Sequence, residues 1–497
     1  MTATVVLDGT ALTVDEVEQV AAGAPVSLAR ASLDAVARNR QALELAVAGG
    51  VSIYGVTTGL GALVTEHVDA AADPALQRAV LRSHAAGVGD LLPADGVRAA
   101  LVVRLNCLLR GRSGIRTDVL ERIAYFLNEG LTPAVPATGS VGASGDLAPS
   151  AHAFLPLLGE GAFLDGAAAD LLRRRGVEPL ELRSKEALAL INGTHFMAGL
   201  GALAVMRSRR LAAAADAAAA LTVEALGSSS KAFDGRLHEL RALDGQQASA
   251  ETIRRFLAGS ARLDTAGRVQ DAYSIRCAPQ VHGAFREAVA FATRLLTVDL
   301  NAVTDNPIVF DEPLEVVSGG NFHGQSLALA LDTLRIALAD LASIAERRTF
   351  RILSPSLNGD LPPFLAMRPG SENGYMLAQI TAAALLAELR VLAHPVSADN
   401  VPTSDNQEDH VSMGMTGAVL ALESVRRAET VVAVELLCAA QAIEVTDGEP
   451  GPLSARVLAA VRGRVPRLTE DRPPGPDIEA VRALVSSGDL FELVEAT

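Results

Sequence analysis

The sequence predicts a mainly α-helical protein built around a bundle of long helices. From Leu327 to Ala345, apolar residues recur in alternating steps of four and three, the pattern of one apolar stripe on a helix. A similar stripe runs from Val425 to Ile443, and an alanine-rich stretch occupies roughly residues 196–226. Aromatic residues make up only 3% of the chain and tryptophan is absent, so small aliphatic side chains must fill the core. Closely packed helices fit that composition.

Segments rich in Gly, Pro, Asn, Asp and Ser lie between the helical stretches and predict loops. They are YGVTTGLGALV near residue 54, PAVPATGSVGASGDLAPSAH near 140, NAVTDNPIVF near 305, SGGNFHG near 320 and SADNVPTSDNQEDH near 405. Polar loops on a rigid helical scaffold are the usual place for a functional site. We expect one continuous unit with a loop-rich N-terminal portion over 1–195, the long-helix bundle over 196–450 and a peripheral C-terminal segment over 451–497.

Composition excludes several classes of function. The chain has 43 basic and 58 acidic residues and a net charge of -15, which disfavours partners such as nucleic acid or an anionic membrane. The three cysteines, Cys107, Cys277 and Cys438, form no CxxC pair, so neither a disulfide framework nor a metal site is indicated. The N-terminus does not resemble a signal peptide, and charges interrupt the apolar runs. We therefore expect a cytoplasmic enzyme acting on a small molecule, without a metal.

The triplet Ala143-Ser144-Gly145 can form an electrophile from its own backbone. If the Gly145 nitrogen attacks the Ala143 carbonyl and two waters leave, one involving the Ser144 hydroxyl, the product is a five-membered ring with an exocyclic methylene. Alanine and glycine are small enough for the backbone to fold tightly, and glycine offers an unhindered nitrogen. The bare triplet also arises by chance in a chain this rich in alanine and glycine, so the flanking residues have to decide.

The longer string GSVGASGDLAP resembles the cofactor loop of the histidine and aromatic amino acid ammonia-lyase family. The resemblance extends over most of the chain, in order, through YGVTTGLG, SHAAGVG, LINGT, VQDAYSIRCAPQV, DNPIV, GGNFHG, SIAERR, LPPFL and NQEDHVSMG. It implies the cofactor 4-methylideneimidazole-5-one, formed from Ala143, Ser144 and Gly145, with no external cofactor. It also implies the long-helix bundle of this family and a homotetramer in which each active site draws residues from three chains.

The resemblance assigns catalytic and substrate-binding roles to loop residues. Tyr54, in YGVTTGLG, corresponds to the base that takes the β proton, although a tyrosine beside glycine is otherwise more often a buried ring. Arg276 is suited to hold the substrate carboxylate, because a guanidinium can make two parallel hydrogen bonds to a carboxylate. The other residues that the resemblance brings to the cofactor and substrate are Tyr273, Gln270, Asn192, Asn321 and Phe322.

Two residues favour histidine as the substrate. His84 resembles the histidine that contacts the polar end of the side chain in histidine and tyrosine lyases. Glu408 matches the acidic residue of histidine lyases, where tyrosine and phenylalanine enzymes and the related aminomutases usually have Gln. A carboxylate can accept the imidazole N–H and stabilise a positive ring, but it is poorly matched to a phenol or phenyl ring. Taken singly, Glu408 could be a surface acid and His84 a core histidine.

Some residues depart from the family pattern and leave alternatives open. Leu60 stands where an aromatic residue is frequent, His195 follows NGT where Gln, Asp or Ser is commoner, and Gln325 belongs to an FHGQ string shared with tyrosine enzymes. The pocket could therefore accept tyrosine, as a tyrosine ammonia-lyase or a tyrosine 2,3-aminomutase with the same cofactor, or it could accept an unusual amino acid. A helical scaffold homologue that lost its activity is the non-enzyme alternative, and the intact Ser144, Tyr54 and Arg276 together argue against it.

Overall fold

The computed structural model describes residues 3–49, 53, 58 and 73–495. The chain divides into two compact units, one made of residues 1–206, 292–332 and 395–422, the other of residues 207–291, 333–394 and 423–497. Helices dominate both units, as the sequence predicts, and the strands form four two-stranded sheets among the described residues. The three-part division of the chain stays a prediction.

The helices begin and end as follows: α1 Val14–Ala21, α2 Arg30–Ala48, α3 Asp73–His84, α4 Ala94–Leu108, α5 Thr117–Asn128, α6 Leu147–Phe154, α7 Ala168–Arg174, α8 Glu186–Ile191, α9 His195–Ala225, α10 Gly235–Glu239, α11 Asp244–Leu257, α12 Tyr273–Arg276, α13 Ala278–Asp299, α14 Gln325–Leu353, α15 Met376–Leu392, α16 Gly414–Glu444, α17 Pro452–Arg462, α18 Pro474–Ser487 and α19 Asp489–Glu495. The three predicted long helices are confirmed as α9, α14 and α16. Each has 29 to 31 residues.

Short strands link the helices of the first unit: β1 Val5–Leu7, β2 Val26–Leu28, β3 Val88–Leu91, β4 Pro136–Thr138, β5 Ala162–Phe163, β6 Gly166–Ala167, β7 Ile308–Asp311 and β8 Leu314–Val317. Only β1 and β2 pair in parallel, and the other three described pairs are antiparallel. The loop prediction near residue 305 was wrong in its second half, because residues 308–311 form the first strand of a hairpin. The run Ile308-Val309-Phe310 is β-branched and aromatic, which favours a strand.

Small residues allow the helices of the first unit to pack closely. A Cβ on Gly199 of α9 would lie 2.7 Å from the backbone nitrogen of Ala100 in α4, so only glycine permits this approach. A Cβ on Gly201 would meet the side chains of Leu296 and Leu331 at 3.0 and 3.2 Å. Small residues in α9 therefore allow the close approach of helices that the composition predicts.

Prolines stand at the start of two helices in the C-terminal 50 residues. Pro452 and Pro474 occupy the first turns of α17 and α18, where a missing N–H does not interrupt the helix. These prolines therefore start helices in the C-terminal segment. In the described part of the chain, no helix combines the length and apolar character needed to cross a membrane.

Candidate active site

The segment Ala143-Ser144-Gly145 lies between β4 and α6, and its last two residues have a left-handed backbone conformation. Ser144 has φ +52° and Gly145 has φ +83°, a region that glycine adopts freely but serine rarely does. The Gly145 N–H donates to the Gly142 carbonyl at 3.2 Å, and the Ser140 hydroxyl accepts from the Gly142 N–H at 3.1 Å. These bonds fold residues 140–145 into a tight turn.

The tight turn is paired with the segment that follows α8. Gly193 N–H donates to the Ser144 carbonyl at 3.3 Å, and Asp146 N–H donates to the Gly193 carbonyl at 2.8 Å. A Cβ on Gly145 would lie 2.5 Å from the carbonyl carbon of Gly193, closer than a real Cβ ever approaches. Gly145 is therefore required for two reasons, its positive φ and the close approach of Gly193.

A buried ionic cluster backs the Gly193 side of this pairing. Lys185 and Asp305 form an ion pair at 2.6 Å, and Arg104 lies 3.8 Å from the same carboxylate, with all three side chains fully buried. The Arg104 Nε–H donates to the Ala189 carbonyl at 2.8 Å. A Cβ on Gly193 would lie 2.7 Å from Arg104 Nη1. The cluster thus fixes the position of α8 and of the residues that follow it.

Asp146 connects the tight turn to the start of α9. Its Oδ2 accepts hydrogen bonds from the backbone N–H groups of Phe196 and Met197, both at 2.9 Å. Its Oδ1 is buried and has no hydrogen-bond partner among the described residues. Burial raises the pKa of this carboxyl to about 7, and neighbouring Asp299 adds to the shift. Asp146 therefore anchors the turn to a helix N-terminus, although its carboxylate is poorly solvated.

His195 does not reach the candidate pocket. Its ring is buried, its Nε2 lies 2.8 Å from the Ser150 hydroxyl, and Phe154 and Phe196 pack beside it. Burial holds the pKa of the imidazole well below its usual value, so the ring is neutral. This departure from the family pattern consequently changes the packing beneath the tight turn rather than the lining of the pocket.

A cavity of about 570 Å³ opens beside the tight turn. The residues of its lining that the sequence predicted are Ala143, Ser144, Asn192, Phe322 and Glu408. Ser144 Oγ donates to Glu408 Oε1 at 3.2 Å, which joins two segments 264 residues apart. The cavity is therefore bounded by the reactive serine on one side and by a carboxylate on the other.

Three predicted residues of the first unit differ in whether they line this cavity. Asn192 lines it and donates through Nδ2 to the Asn306 carbonyl at 2.7 Å. Asn321 donates to the Val303 carbonyl at 3.2 Å and is outside the described lining. Gln325 begins α14, outside that lining too, and its buried Oε1 has no partner among the residues described.

His84, predicted from the N-terminal portion, is not part of the described lining. His84 is the last residue of α3, where its Nδ1 lies 2.8 Å from the Val80 carbonyl oxygen. Tyr54 and Leu60 lie outside the described residues. The roles of these three residues stay predictions.

The second unit carries Gln270, Tyr273 and Arg276. Tyr273 and Arg276 are the first and last residues of α12, and the Arg276 guanidinium lies 4.6 Å from the centre of the Tyr273 ring. Tyr273 is 71% exposed, and Gln270 is exposed as well. The Arg276 Nε is buried without a hydrogen-bond partner in the described structure. This guanidinium therefore keeps a donor available for a carboxylate.

A buried ion pair lies beneath α12 in the same unit. Arg348 binds both carboxylate oxygens of Glu435, at 2.6 and 2.9 Å, and its Nη1 donates to the Ser274 carbonyl at 3.3 Å. Thr222 also donates to Glu435, at 2.9 Å. The sequence patterns did not predict this pair. A signal existed, since Arg348 falls three residues after Ala345 on the apolar stripe of α14, where a charge must find a buried partner.

Among the described residues, no group of three or more His, Cys, Asp and Glu side chains is arranged to hold a metal ion. The polar side chains at the cavity are hydroxyls, amides, the carboxylates of Glu408 and Asp409 and the imidazoles of His323 and His410, placed around a backbone segment that is turned back on itself. Such an arrangement can bind a small polar molecule next to a reactive peptide segment.

Known proteins share this architecture and sequence. The family described as aromatic amino acid lyase matches residues 12–463. Histidine ammonia-lyase of Gloeobacter violaceus is 48% identical over 99% of this chain and 97% of its own length. That of Symbiobacterium thermophilum is 49% identical over 98% of each chain.

Solved structures give the same result. Histidine ammonia-lyase from Trypanosoma cruzi superposes with a TM-score of 0.92 at 39% identity, over 99% of this chain and 95% of that one. Tyrosine aminomutase from Streptomyces globisporus superposes with a TM-score of 0.95 at 39% identity, over 99% of both chains. The fold is thus common to enzymes that act on different amino acids.

Proposed function

Because this chain belongs to the aromatic amino acid lyase family and is a carbon–nitrogen lyase, we propose that it removes ammonia from L-histidine to give urocanate. The observation that carries the choice of substrate is the Glu408 carboxylate, which lines the cavity beside Ser144. A carboxylate there accepts the N–H of an imidazole and stabilises its protonated form, whereas a phenyl ring would leave the charge unmatched. The names of the relatives at 48% and 49% identity support the same substrate.

The residues around Ser144 fit the formation of 4-methylideneimidazole-5-one from Ala143, Ser144 and Gly145. The left-handed turn brings the triplet back on itself, and the lack of side-chain atoms at Gly145 and Gly193 permits the close backbone pairing that ring closure needs. Once formed, this group supplies an electrophilic methylene that makes the substrate amine a better leaving group. Asn192 lies in the lining beside the triplet and would hold the group in place.

In the proposed shared site, side chains supplied by different copies of this chain bind and orient the substrate and move a proton. Glu408 accepts the imidazole N–H, and Arg276 holds the substrate carboxylate through the donor it keeps free. Tyr54 takes the β proton, with Tyr273 next to Arg276 as a second hydroxyl in the site. In this proposal the substrate pocket also contains Phe322, Asn321, Gln270, Gln325, Leu60 and His84.

A tyrosine ammonia-lyase or tyrosine 2,3-aminomutase is the second candidate. It is favoured by the FHGQ string that ends at Gln325 and by the 39% identity to the tyrosine aminomutase of Streptomyces globisporus. An aminomutase would use the same electrophile and add the ammonia back at the β carbon. Glu408 argues against both, because a phenol gains less than an imidazole from a facing carboxylate.

Product identification separates these candidates. The purified protein is mixed with L-histidine and with L-tyrosine, and the products are identified by absorbance and mass. We expect urocanate from histidine and little product from tyrosine. Glu408→Gln should lower kcat/KM for histidine at least about 10-fold, because a charge-assisted hydrogen bond is lost. Coumarate or a β-amino acid from tyrosine, without urocanate from histidine, would refute the proposal, and an absence of any turnover would favour the inactive scaffold.

We also propose that the enzyme is a cytoplasmic homotetramer whose active sites are shared between chains. The exposure of Tyr273 and of Val269 next to Gln270 supports this, because a neighbouring chain would have to cover these residues if Tyr273 and Gln270 belong to an active site. Mixing two inactive variants, Ser144→Ala and Arg276→Met, under conditions that exchange subunits tests the sharing. Recovered activity is expected, whereas sites contained in single chains would stay inactive in every mixture.

A further inference from the structure

The two carboxylate oxygens of Glu408 have different partners. Oε1 lies 3.2 Å from Ser144 Oγ at the cavity, while Oε2 lies 2.6 Å from the hydroxyl oxygen of Thr403. An ionised carboxylate only accepts hydrogen bonds, so Thr403 must be the donor. The short bond to Thr403 therefore occupies one oxygen of Glu408 and leaves the other directed at the cavity.

The backbones of Thr403 and Glu408 are paired as well. Thr403 N–H donates to the Glu408 carbonyl at 3.0 Å, and Glu408 N–H donates to the Thr403 carbonyl at 3.3 Å. This antiparallel bridge closes a loop of only four residues, 404–407. The side-chain bond is thus built onto a pairing that fixes the separation of the two Cα atoms.

The four-residue loop has an unusual conformation. Ser404, Asp405 and Asn406 are all left-handed, with φ angles of +49°, +54° and +63°. Consecutive left-handed L-residues are strained, and such strain persists only where the surrounding structure imposes it. The strained turn reverses the chain direction, so that Glu408 pairs with Thr403 and lines the cavity.

Further bonds fasten the ends of this loop. The Asn400 side chain donates to the Asp409 carbonyl and accepts from the Val411 N–H, both at 2.8 Å. Beyond it, Met413 N–H donates to the Val141 carbonyl at 2.8 Å, next to the cofactor-forming triplet. The loop backbone is consequently fixed on both sides of Glu408, and the Thr403 hydroxyl fixes Oε2 of its carboxylate.

We propose that Thr403 is a positioning residue for substrate selection: its hydroxyl holds Glu408 Oε2, so that Oε1 faces the substrate as a hydrogen-bond acceptor. The inference rests on the proposed function, in which Glu408 binds the imidazole N–H of the substrate. It adds a residue that acts through Glu408 and makes the pocket selective for a side chain bearing an N–H donor.

Thr403→Val tests the role of the hydroxyl, because valine keeps the side-chain shape. We expect kcat/KM for L-histidine to fall about 10- to 100-fold, the effect of one charge-assisted hydrogen bond, mostly through KM. Thr403→Ser should keep most of the wild-type kcat/KM, because serine retains the hydroxyl. Thr381→Val is the matched control, since the hydroxyl of this exposed threonine donates to the Leu377 carbonyl within its own helix, α15. A decrease below about 2-fold for Thr403→Val would overturn the inference.

A double-mutant cycle shows whether Thr403 acts through Glu408. In a Glu408→Ala background, Thr403→Val should change kcat/KM less than about 2-fold, because the carboxylate to be oriented is gone. Equal losses in both backgrounds would show a general structural role and contradict the proposal. If Glu408→Ala abolishes turnover, the same cycle is measured as the affinity for L-histidine by calorimetry in a Ser144→Ala background.

The outcome of this cycle is separate from the test of the proposed function. If the wild-type protein forms no urocanate, the choice of histidine is wrong. The cycle is then measured with whichever amino acid turns over, and coupling between Thr403 and Glu408 still supports the positioning role, while additivity refutes it.

Discussion

Neighbouring segments fix the positions of the triplet Ala143–Gly145 and of the short helix α12, but through different kinds of interaction. Backbone hydrogen bonds to Gly193 hold the triplet, and the absence of side-chain atoms allows the approach. Side-chain bonds from Arg348, itself paired with Glu435, hold the backbone of α12 at Ser274. In the proposed function, the backbone reacts in the first region, whereas side chains bind substrate in the second.

This difference follows from what each region has to do. A peptide segment that cyclises needs its own atoms close together, so bulky neighbours are excluded and glycine is required. A turn that presents Tyr273 and Arg276 can have an ordinary helical backbone, and buried charges beneath it fix its position. The two regions should therefore respond to different substitutions.

Gly145→Ala should have the largest effect. The added Cβ would overlap the backbone of Gly193 and would also sit at φ +83°, so the turn cannot close as it does now. We expect ring formation to fail and urocanate production to fall roughly 100-fold or more, since misplacement of reacting atoms has effects of this size. Peptide mass and kcat are the measurements.

Gly130→Ala is the matched control for this substitution. Gly130 also has a positive φ, +68°, but no atom lies within 4 Å of the point where a Cβ would be added. The variant should lose about 1 kcal/mol of unfolding free energy through backbone strain alone and keep its activity. If Gly145→Ala behaves like Gly130→Ala, close backbone pairing is not what the triplet requires.

Arg348→Met should affect stability and substrate binding but not the triplet. It leaves the Glu435 carboxylate buried without its cation, a change that lowers the free energy of unfolding by about 3–5 kcal/mol. We expect KM for histidine to rise as α12 loses its support, while the mass signature of the ring remains. Denaturant unfolding and steady-state kinetics measure the two effects.

An exposed ion pair provides the comparison for Arg348. Arg173 and Asp170 pair at 3.0 Å on the surface of α7, with both side chains more than half exposed. Arg173→Met should change the unfolding free energy by less than about 1 kcal/mol. Equal stability of the Arg348→Met and Arg173→Met variants would contradict the anchoring role of the buried pair.

Asp146 should give the stability of the first region a pH dependence. Burial raises the pKa of its carboxyl from 3.8 to about 7, so the folded state favours the protonated form. Its stabilising contribution is complete below about pH 4 and is lost as the pH rises through about 7, an effect of a few kcal/mol. Asp146→Asn should remove this loss, so that its thermal midpoint falls less than that of the wild type between about pH 5 and pH 8.

The Asp146→Asn variant should keep a weaker pH dependence of stability, because Asp299 also titrates. Burial raises the pKa of its carboxyl to about 6, so it contributes in the same direction over a lower pH range in both proteins. An identical slope of thermal midpoint against pH in wild type and Asp146→Asn would show that Asp146 is ionised throughout and would refute the assignment.

Sequence patterns predicted the parts of the site that lie within contiguous motifs. The long helices follow from apolar stripes, and Ser144, Asn192 and Glu408 follow from short strings that the fold brings to one cavity. The supporting residues follow from no such string. Lys185 and Asp305 are 120 residues apart, so only the tertiary fold makes them partners.

Thr403 and His195 show the limits of local reasoning. Thr403 is five residues from Glu408, but their contact depends on a left-handed turn that Ser-Asp-Asn does not specify by itself. His195 follows a motif of the pocket, yet as the first residue of α9 its side chain points into the core and binds Ser150. Proximity in sequence to a site residue therefore does not decide which side chains line the pocket.

The mass of the peptide containing Ala143, Ser144 and Gly145 is the decisive measurement for the proposed chemistry. We predict that this peptide, isolated by proteolysis of the purified protein, is two water molecules lighter than its sequence requires, and that Ser144→Ala lacks this loss and nearly all activity. An unmodified mass in a wild-type protein that nevertheless releases ammonia from histidine would contradict the formation of the ring.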